Sequence, residues 1–252
     1  MKIEAYLKRI NYTGPLAPTA ETLQALHQAH LLAVPFENLD IHLGRPIILE
    51  ETALYRKIVE RRRGGFCYEL NGLFAALLRA LGFEVTLLSA RVSRGDDSFS
   101  QEFDHLTLLV QLEERWLADV GFGECFREPL RLDEPGEQVQ PLGVYRLTQD
   151  NDAWVYWGRE EALSWQPQYQ FTLQPRRLAD FAGMCHYHQT SPESHFTQKR
   201  ICSLATPEGR VSLSDSWLII TANGRREERE LVGRGEYEAA LREWFGVELD
   251  IS

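Results

Sequence analysis

GGFCYELNGLFAALLRALGFEVTLLSARV, residues 64–92, contains the change of period that divides the chain. Leu70, Leu73, Phe74, Leu77, Leu78 and Leu81 recur at helical spacing and form one apolar stripe. Gly82 stands where a left-handed residue closes a helix. From Glu84 the run EVTLLSARV turns to branched apolar residues, the composition of a strand. Cys67 follows a Gly-Gly pair and lies at or just before the first turn of the helix.

Upstream, APTAETLQALHQAHLLAVPFENL from Ala17 predicts a helix capped by Thr19, with Glu21 in its first turn and Leu23, Leu26 and Leu31 along one side. Pro35 stops it. A second helix is expected from about Glu50 to Arg62, with Leu54 and Ile58 one turn apart and Gly64-Gly65 breaking it. Downstream, HLTLLVQL (105–112), RWLADVGF (115–122), VYRLT (144–148), AWVYW (153–157) and YQFTL (169–173) read as strands of an antiparallel sheet or small barrel. The last part combines a strand-like WLIITANG (217–224), a polar REEREL and a helix YEAALREWF (237–245) closed by Gly246. No internal repeat or flexible linker interrupts this order.

The chain has 252 residues, 44% of them hydrophobic and 25% charged, which excludes a disordered or collagen-like polymer. Lys and Arg number 27 against 37 Asp and Glu, a net charge of −10 that repels phosphate backbones and anionic lipid. Neither nucleic acid nor membrane is an expected partner. The first residues, MKIEAYLKRINYTGPL, lack the apolar core of a signal peptide, and no apolar run reaches the ~18–20 residues of a membrane span. Four cysteines without C-x-x-C spacing suggest a reducing compartment, so a cytoplasmic location is expected.

A thiol becomes a nucleophile when its thiolate is stabilised, and a helix N-terminus with a neighbouring imidazolium does this. Cys67 is placed for that role, and free N–H groups in the first helical turn can receive an oxyanion. Cys125, Cys185 and Cys202 read as small buried hydrophobes. The base and its orienting group are sought on the next two strands, where His105 and Asp119 stand out. A three-residue turn at 112–114 sets Asp119 opposite Thr107 and diagonal to His105, whereas a two-residue turn puts the two on opposite faces. Asp119 is also a lone charge in the apolar run WLADVGF, and a buried carboxylate requires a partner. Cys185, His186, His188 and His195 superficially suggest a metal site, but the two histidines of H-Y-H share a face only in a strand and no second cysteine completes four ligands; a solvated or hydrogen-bonded loop is the reading, and no metal is expected. The basic run at 61–63 reads as a solvated helix end, or alternatively as a receiver of an anionic substrate.

PFENL (35–39), RRGGFCYELNGLF (62–74), HLTLLV (105–110), DVGFG (119–123) and TSPESHF (190–196) together make the sequence resemble the arylamine N-acetyltransferases. The resemblance implies an α+β fold: an N-terminal helical bundle, a central antiparallel β-barrel and a C-terminal α/β lid, with a core like that of cysteine proteases. The corresponding segments are 1–83, 84–185 and 186–252. It also implies Cys67 as the acetyl-accepting nucleophile, His105 and Asp119 as its triad partners, and acetyl-CoA as donor to an arylamine, arylhydrazine or N-hydroxyarylamine in a two-step exchange. Phe36, Phe66 and Phe122, each inside a matching motif, are candidate walls for the aromatic acceptor. Gly121 and Gly123 are candidates for close approach of the backbone to CoA. The stop soon after the last helix, at EWFGVELDIS, suggests a smaller lid and a more open cleft, and MCHYH (184–188) departs from the family's tyrosine-rich stretch. The alternatives that share the residue set are a peptidase or transglutaminase, a macrocycle-forming amide synthase and a non-catalytic ligand-binding homologue.

Overall fold

The computed structural model describes residues 1–96, 98–159 and 164–249. The helical part begins with α1 (Ile3–Arg9) and α2 (Ala20–Ala33), and the latter opens on Thr19, whose side chain accepts from the backbone N–H of Thr22. After Pro35 come a short strand β1 (Phe36–Glu37) and one turn of helix, α3 (Leu39–His42). The predicted second helix is α4 (Glu51–Tyr55), which widens into a π-helical turn at Arg56–Glu60. At the centre lies α5 (Cys67–Ala80), with Leu70, Leu73, Phe74, Leu77 and Leu78 fully buried. Each contributes on the order of 1.5–3 kcal/mol by leaving water, so this stripe anchors the fold.

The strands among the described residues form two antiparallel sheets. The larger comprises β2 (Glu84–Val92), β3 (His105–Gln111), β4 (Arg115–Ala118), β5 (Leu130–Arg131), β6 (Gln138–Gln140), β7 (Gly143–Asp150), β8 (Ala153–Arg159) and β9 (Gln166–Thr172). Their order is β5-β4-β3-β2-β9-β8-β7-β6, which leaves the short strands β5 and β6 at the two edges. Side chains join these edges: Gln138 exchanges hydrogen bonds with the backbone N–H and C=O of Arg131, at 2.8 and 2.9 Å. Gln140 accepts from Arg127 N–H at 2.8 Å and donates to Glu128 C=O at 2.8 Å. The result is a nearly closed barrel around Leu88, Leu117, Phe126, Tyr156, Tyr169 and Phe171.

Beyond the barrel, a 3-10 turn (Leu178–Phe181) leads into α6 (Ala182–Thr190) and α7 (His195–Gln198). The stretch expected as a loop at 184–188 is therefore helix. Phe181, Cys185 and His188 are buried at spacings of four and three, the side of a helix, while His186 is exposed. Among the described residues no group of three or more His, Cys, Asp or Glu is placed to hold a metal ion. The second sheet runs β1-β10-β11-β12-β13, with β10 (Ile201–Thr206), β11 (Gly209–Ser214), β12 (Trp217–Ala222) and β13 (Arg225–Glu230). The polar RREERE is thus an edge strand with all six residues exposed, and its charges discourage pairing with another chain. The final helix, α8 (Gly233–Phe245), ends at Gly246 in the left-handed conformation and covers this sheet through Leu241 and Phe245. No helix among the described residues is long and apolar enough to cross a membrane.

Candidate active site

The Gly-Gly pair serves close packing. A Cβ on Gly64 would fall 1.9 Å from Pro35 O, and Gly65 C=O accepts from Glu37 N–H at 2.9 Å. PFENL is therefore laid directly on the turn that precedes α5. Gly65 also leaves room for Glu69, whose carboxylate accepts from Phe66 N–H and so caps α5. Lys57 Nζ lies 2.8 Å from Glu69 and 2.9 Å from Asp40, while burial pushes the Glu69 carboxyl up to about 7 against the pull of Lys57. The basic run is not wholly solvated: Arg63 is buried and pairs with Glu37 at 2.8 Å and Asp40 at 3.1 Å. Because the turn is packed on both sides, Cys67 is only 3% exposed, not held open as the glycines alone suggest.

Gln111 pairs with Arg115 and Leu108 with Ala118, so the turn between β3 and β4 has three residues, 112–114. This register brings His105 and Asp119 onto one face. His105 Nε2 donates to Asp119 Oδ2 at 2.6 Å, and both side chains are buried. Asp119 Oδ1 accepts from Asn71 Nδ2 at 2.8 Å and Gly121 N–H at 2.9 Å. Burial raises the carboxyl, but His105, Asn71 and Gly121 together hold it below the ordinary aspartate value. Asn71 also donates to Leu106 C=O and accepts from Val120 N–H, which ties α5 to β3 and to the segment that follows β4.

Cys67 lies one helical turn before Asn71, and Gly121 presses onto it: a Cβ there would meet Cys67 Cα at 2.8 Å. Burial drives the Cys67 thiol well above its ordinary value; the Leu106 backbone N–H acts in the opposite direction, and the Asp104 and Asp119 charges raise it further. With Nε2 engaged by Asp119, Nδ1 is the other ring nitrogen of His105. The other three cysteines are buried, free thiols.

Phe122 meets His105 edge-on, with centroids 5.1 Å apart, and lines a cleft of about 580 Å³ shared with Glu124, Cys125, Tyr145 and Tyr156. A second large cavity, about 460 Å³ and lined by Leu39, Leu43, Tyr237 and Leu249, shares no residue with the triad. Phe36 is partly exposed and approaches Gly123, whereas Phe66 is fully buried and packs on Tyr68, Phe196 and His188. Gly123 has φ +83°, a conformation suited to glycine, while the N–H of Gly121 is already engaged by Asp119. Residues not assigned to the site from the sequence also converge here. Phe196 stands 6.1 Å from the Phe36 ring, and His188 Nε2 lies 3.0 Å from Oδ1 of Asp104, the residue before His105. Asn71 is a polar residue on the buried face of α5, at i+4 from Cys67, which is the signal that marks it.

A thiol at the start of a helix, with an imidazole–carboxylate pair delivered by an adjoining hairpin, is an arrangement fit for nucleophilic acyl transfer. The family profile described as N-acetyltransferase matches residues 19–252. The arylamine N-acetyltransferase of Escherichia coli (strain K12) is 37% identical over 249 residues, covering 97% of this chain and 88% of that protein. The solved arylamine N-acetyltransferase from Salmonella typhimurium superposes with a TM-score of 0.92 at 36% identity, over 97% of this chain and 90% of that one. The Mycobacterium marinum arylamine N-acetyltransferase, solved in complex with CoA, gives 0.89 at 34% identity over 98% and 93% of the two chains. The chain belongs to the arylamine N-acetyltransferase family, a family of acyltransferases.

Proposed function

We propose that the protein transfers acetyl from acetyl-CoA to arylamines, arylhydrazines or N-hydroxyarylamines through an acetyl-Cys67 intermediate. The observation that carries this reading is the 2.6 Å His105–Asp119 bond on the hairpin packed against the helix that Cys67 opens. The Cys67 S–H proton passes to His105 Nδ1 as sulfur attacks the thioester carbonyl. CoA then leaves as its thiol, taking the proton from His105, and the acetyl group remains on sulfur. In the second half the acceptor nitrogen attacks the acetyl carbonyl and gives its proton to His105. The C–S bond breaks and the proton returns to Cys67. An arylamine suits this step because it is largely neutral near pH 7 and keeps its lone pair without a powerful base.

Phe122 and Phe36, both partly exposed, are the proposed walls for the acceptor ring, with buried Phe66 behind Phe196, which packs on Phe36. Gly121 and Gly123 are proposed to leave room for the pantetheine arm by carrying no side chains. The proposed segments 1–83, 84–185 and 186–252 have hydrophobic cores centred on α5, the barrel and α8, although the first core reaches across the boundaries into β2, β3 and β4 and the third takes in Leu39. Four free thiols favour a reducing, cytoplasmic setting.

The test is intact mass after incubation with acetyl-CoA. One acetyl adduct on the wild-type chain, absent in Cys67→Ala and discharged by an arylamine, is the expected result. Adduct retained in Cys67→Ala, or peptide cleavage without any need for CoA, refutes the assignment.

A further inference from the structure

His27 is a buried titratable group on α2 that the acyl-transfer chemistry leaves unused. Its Nδ1 is 2.9 Å from Arg127 O. Its Nε2 is 3.0 Å from Asp119 O and 3.1 Å from Asp119 N. Both ring nitrogens face a carbonyl, but only Nε2 also faces an N–H, so the single arrangement of one proton that serves both residues puts it on Nδ1, pointing at Arg127 C=O. Nε2 then holds a lone pair, which the Asp119 N–H serves. Burial, the largest effect, lowers the ring's pKa to about 4 and keeps it in this neutral form. The ring stacks on Phe126, with centroids 5.6 Å apart, and meets the edge of Phe74 at 6.1 Å, so neither face offers another polar partner.

Residues 119–127 form an arch with both feet on this one imidazole. The arch carries Asp119 at its first foot, then Gly121 pressed on Cys67, then Phe122 edge-on to His105. We propose that His27 is a positioning residue for acyl transfer, clamping both feet of the 119–127 arch so that Asp119 and Phe122 keep their places against His105. The inference rests on the triad assignment above. A displacement of about 1 Å at Asp119 is enough to cost on the order of a hundredfold in rate.

The test compares His27→Gln, His27→Asn and His27→Phe by the rate of CoA release in the acetylation half-reaction, divided by the number of thiols that acquire an acetyl group, with Tm measured alongside. Glutamine reaches the Nε2 position and serves Asp119 N–H; asparagine reaches only the Nδ1 position; phenylalanine keeps the stacking and loses both bonds. Glutamine is expected within about threefold of wild type per active thiol, and asparagine and phenylalanine at least about tenfold below it. A solely structural role lowers Tm and the count of active thiols without this split. Asparagine and phenylalanine within about twofold of wild type, or glutamine and asparagine falling equally, overturn the proposal. If the variants do not fold, the wild-type chain still decides: imidazole nitrogen NMR at neutral pH must find the His27 proton on Nδ1, and a proton on Nε2 refutes the clamp. Cys67→Ala or Asp119→Asn acetylated at the wild-type rate refutes the triad itself, whereas their inactivity beside unimpaired His27 variants refutes only this inference.

Discussion

Cys67 illustrates how opposing effects are settled by magnitude at the scale of a single residue. A helix N-terminus stabilises a thiolate by up to about 1–2 kcal/mol, but full desolvation of a charge costs more, and here Asp104 and Asp119 add to that cost. In the proposed transfer the thiol hands its proton to His105, which makes the position of Asp119 decisive. Gly121 guards that position, because any Cβ would strike Cys67 Cα at 2.8 Å and Asn71 Nδ2 at 2.7 Å. Gly121→Ala is expected to lose about 1–3 kcal/mol of stability and most acetyl-adduct formation, read by Tm and intact mass. A variant that acetylates like the wild type shows that the loop can retreat without disturbing Cys67. His27 supplies a pH signature. Its native pKa of about 4 lies below the unfolded value near 6.5, so the unfolded chain takes up its proton first and stability falls as the pH drops from 6.5 to 4. The span corresponds to roughly 3 kcal/mol, fully present above pH 6.5. Glu69, raised to about 7, works in the opposite sense over much of this window. The difference between wild type and His27→Gln isolates the histidine: the variant's Tm is expected to fall less steeply between pH 6.5 and 4, and parallel curves contradict the assignment.

At the scale of elements, the hairpin of β3 and β4 shows what a sequence can reveal about a site. Strand alternation leaves only the parity of the turn undecided, and the three residues at 112–114 supply the odd count that puts His105 and Asp119 on one face. Deleting Glu113 is expected to abolish CoA release from acetyl-CoA, because an even turn rotates Asp119 away from His105. Retained turnover means that the strand slips to restore its register. The α5 stripe was legible for the same reason: its apolar spacing matches its burial. α6 was less so, since Cys185 and His188 stand on its buried side where apolar side chains would have declared a helix. β13 carries charge at every visible position because it is an edge exposed on both faces, and alternation vanishes there. β10 and β11 hide polar groups inside the sheet, with Ser203 and Ser212 hydroxyls 2.7 Å apart. His27 and His30 complete the apolar side of α2 with Leu23, Leu26 and Leu31, so only the coordinates distinguish a clamp from a core residue.

Over the whole molecule, the site is held where two kinds of closure meet. The helical core is sealed by apolar burial around α5, which forms a single continuous cluster reaching into β2, β3 and β4. The barrel is closed by glutamine side chains at its shortest strands, not by a full ladder of backbone bonds. A hydrogen bond nets only about 1 kcal/mol, so this seam is a weak line in an otherwise firmly packed body. One end of the seam touches the site: Gln140 accepts from the N–H of Arg127, whose carbonyl receives His27. Gln140→Ala removes bonds to Arg127 N–H and Glu128 N–H and C=O, and is expected to cost about 1–3 kcal/mol locally, which corresponds to roughly ten- to hundredfold faster amide exchange. That acceleration should appear at residues 127–131 and 138–140 and leave the amides of Leu73 and Leu77 in α5 unchanged. If exchange instead quickens evenly through α5, the barrel seam and the helical core open as one unit, and the arch that carries Asp119 depends on the stability of the entire fold.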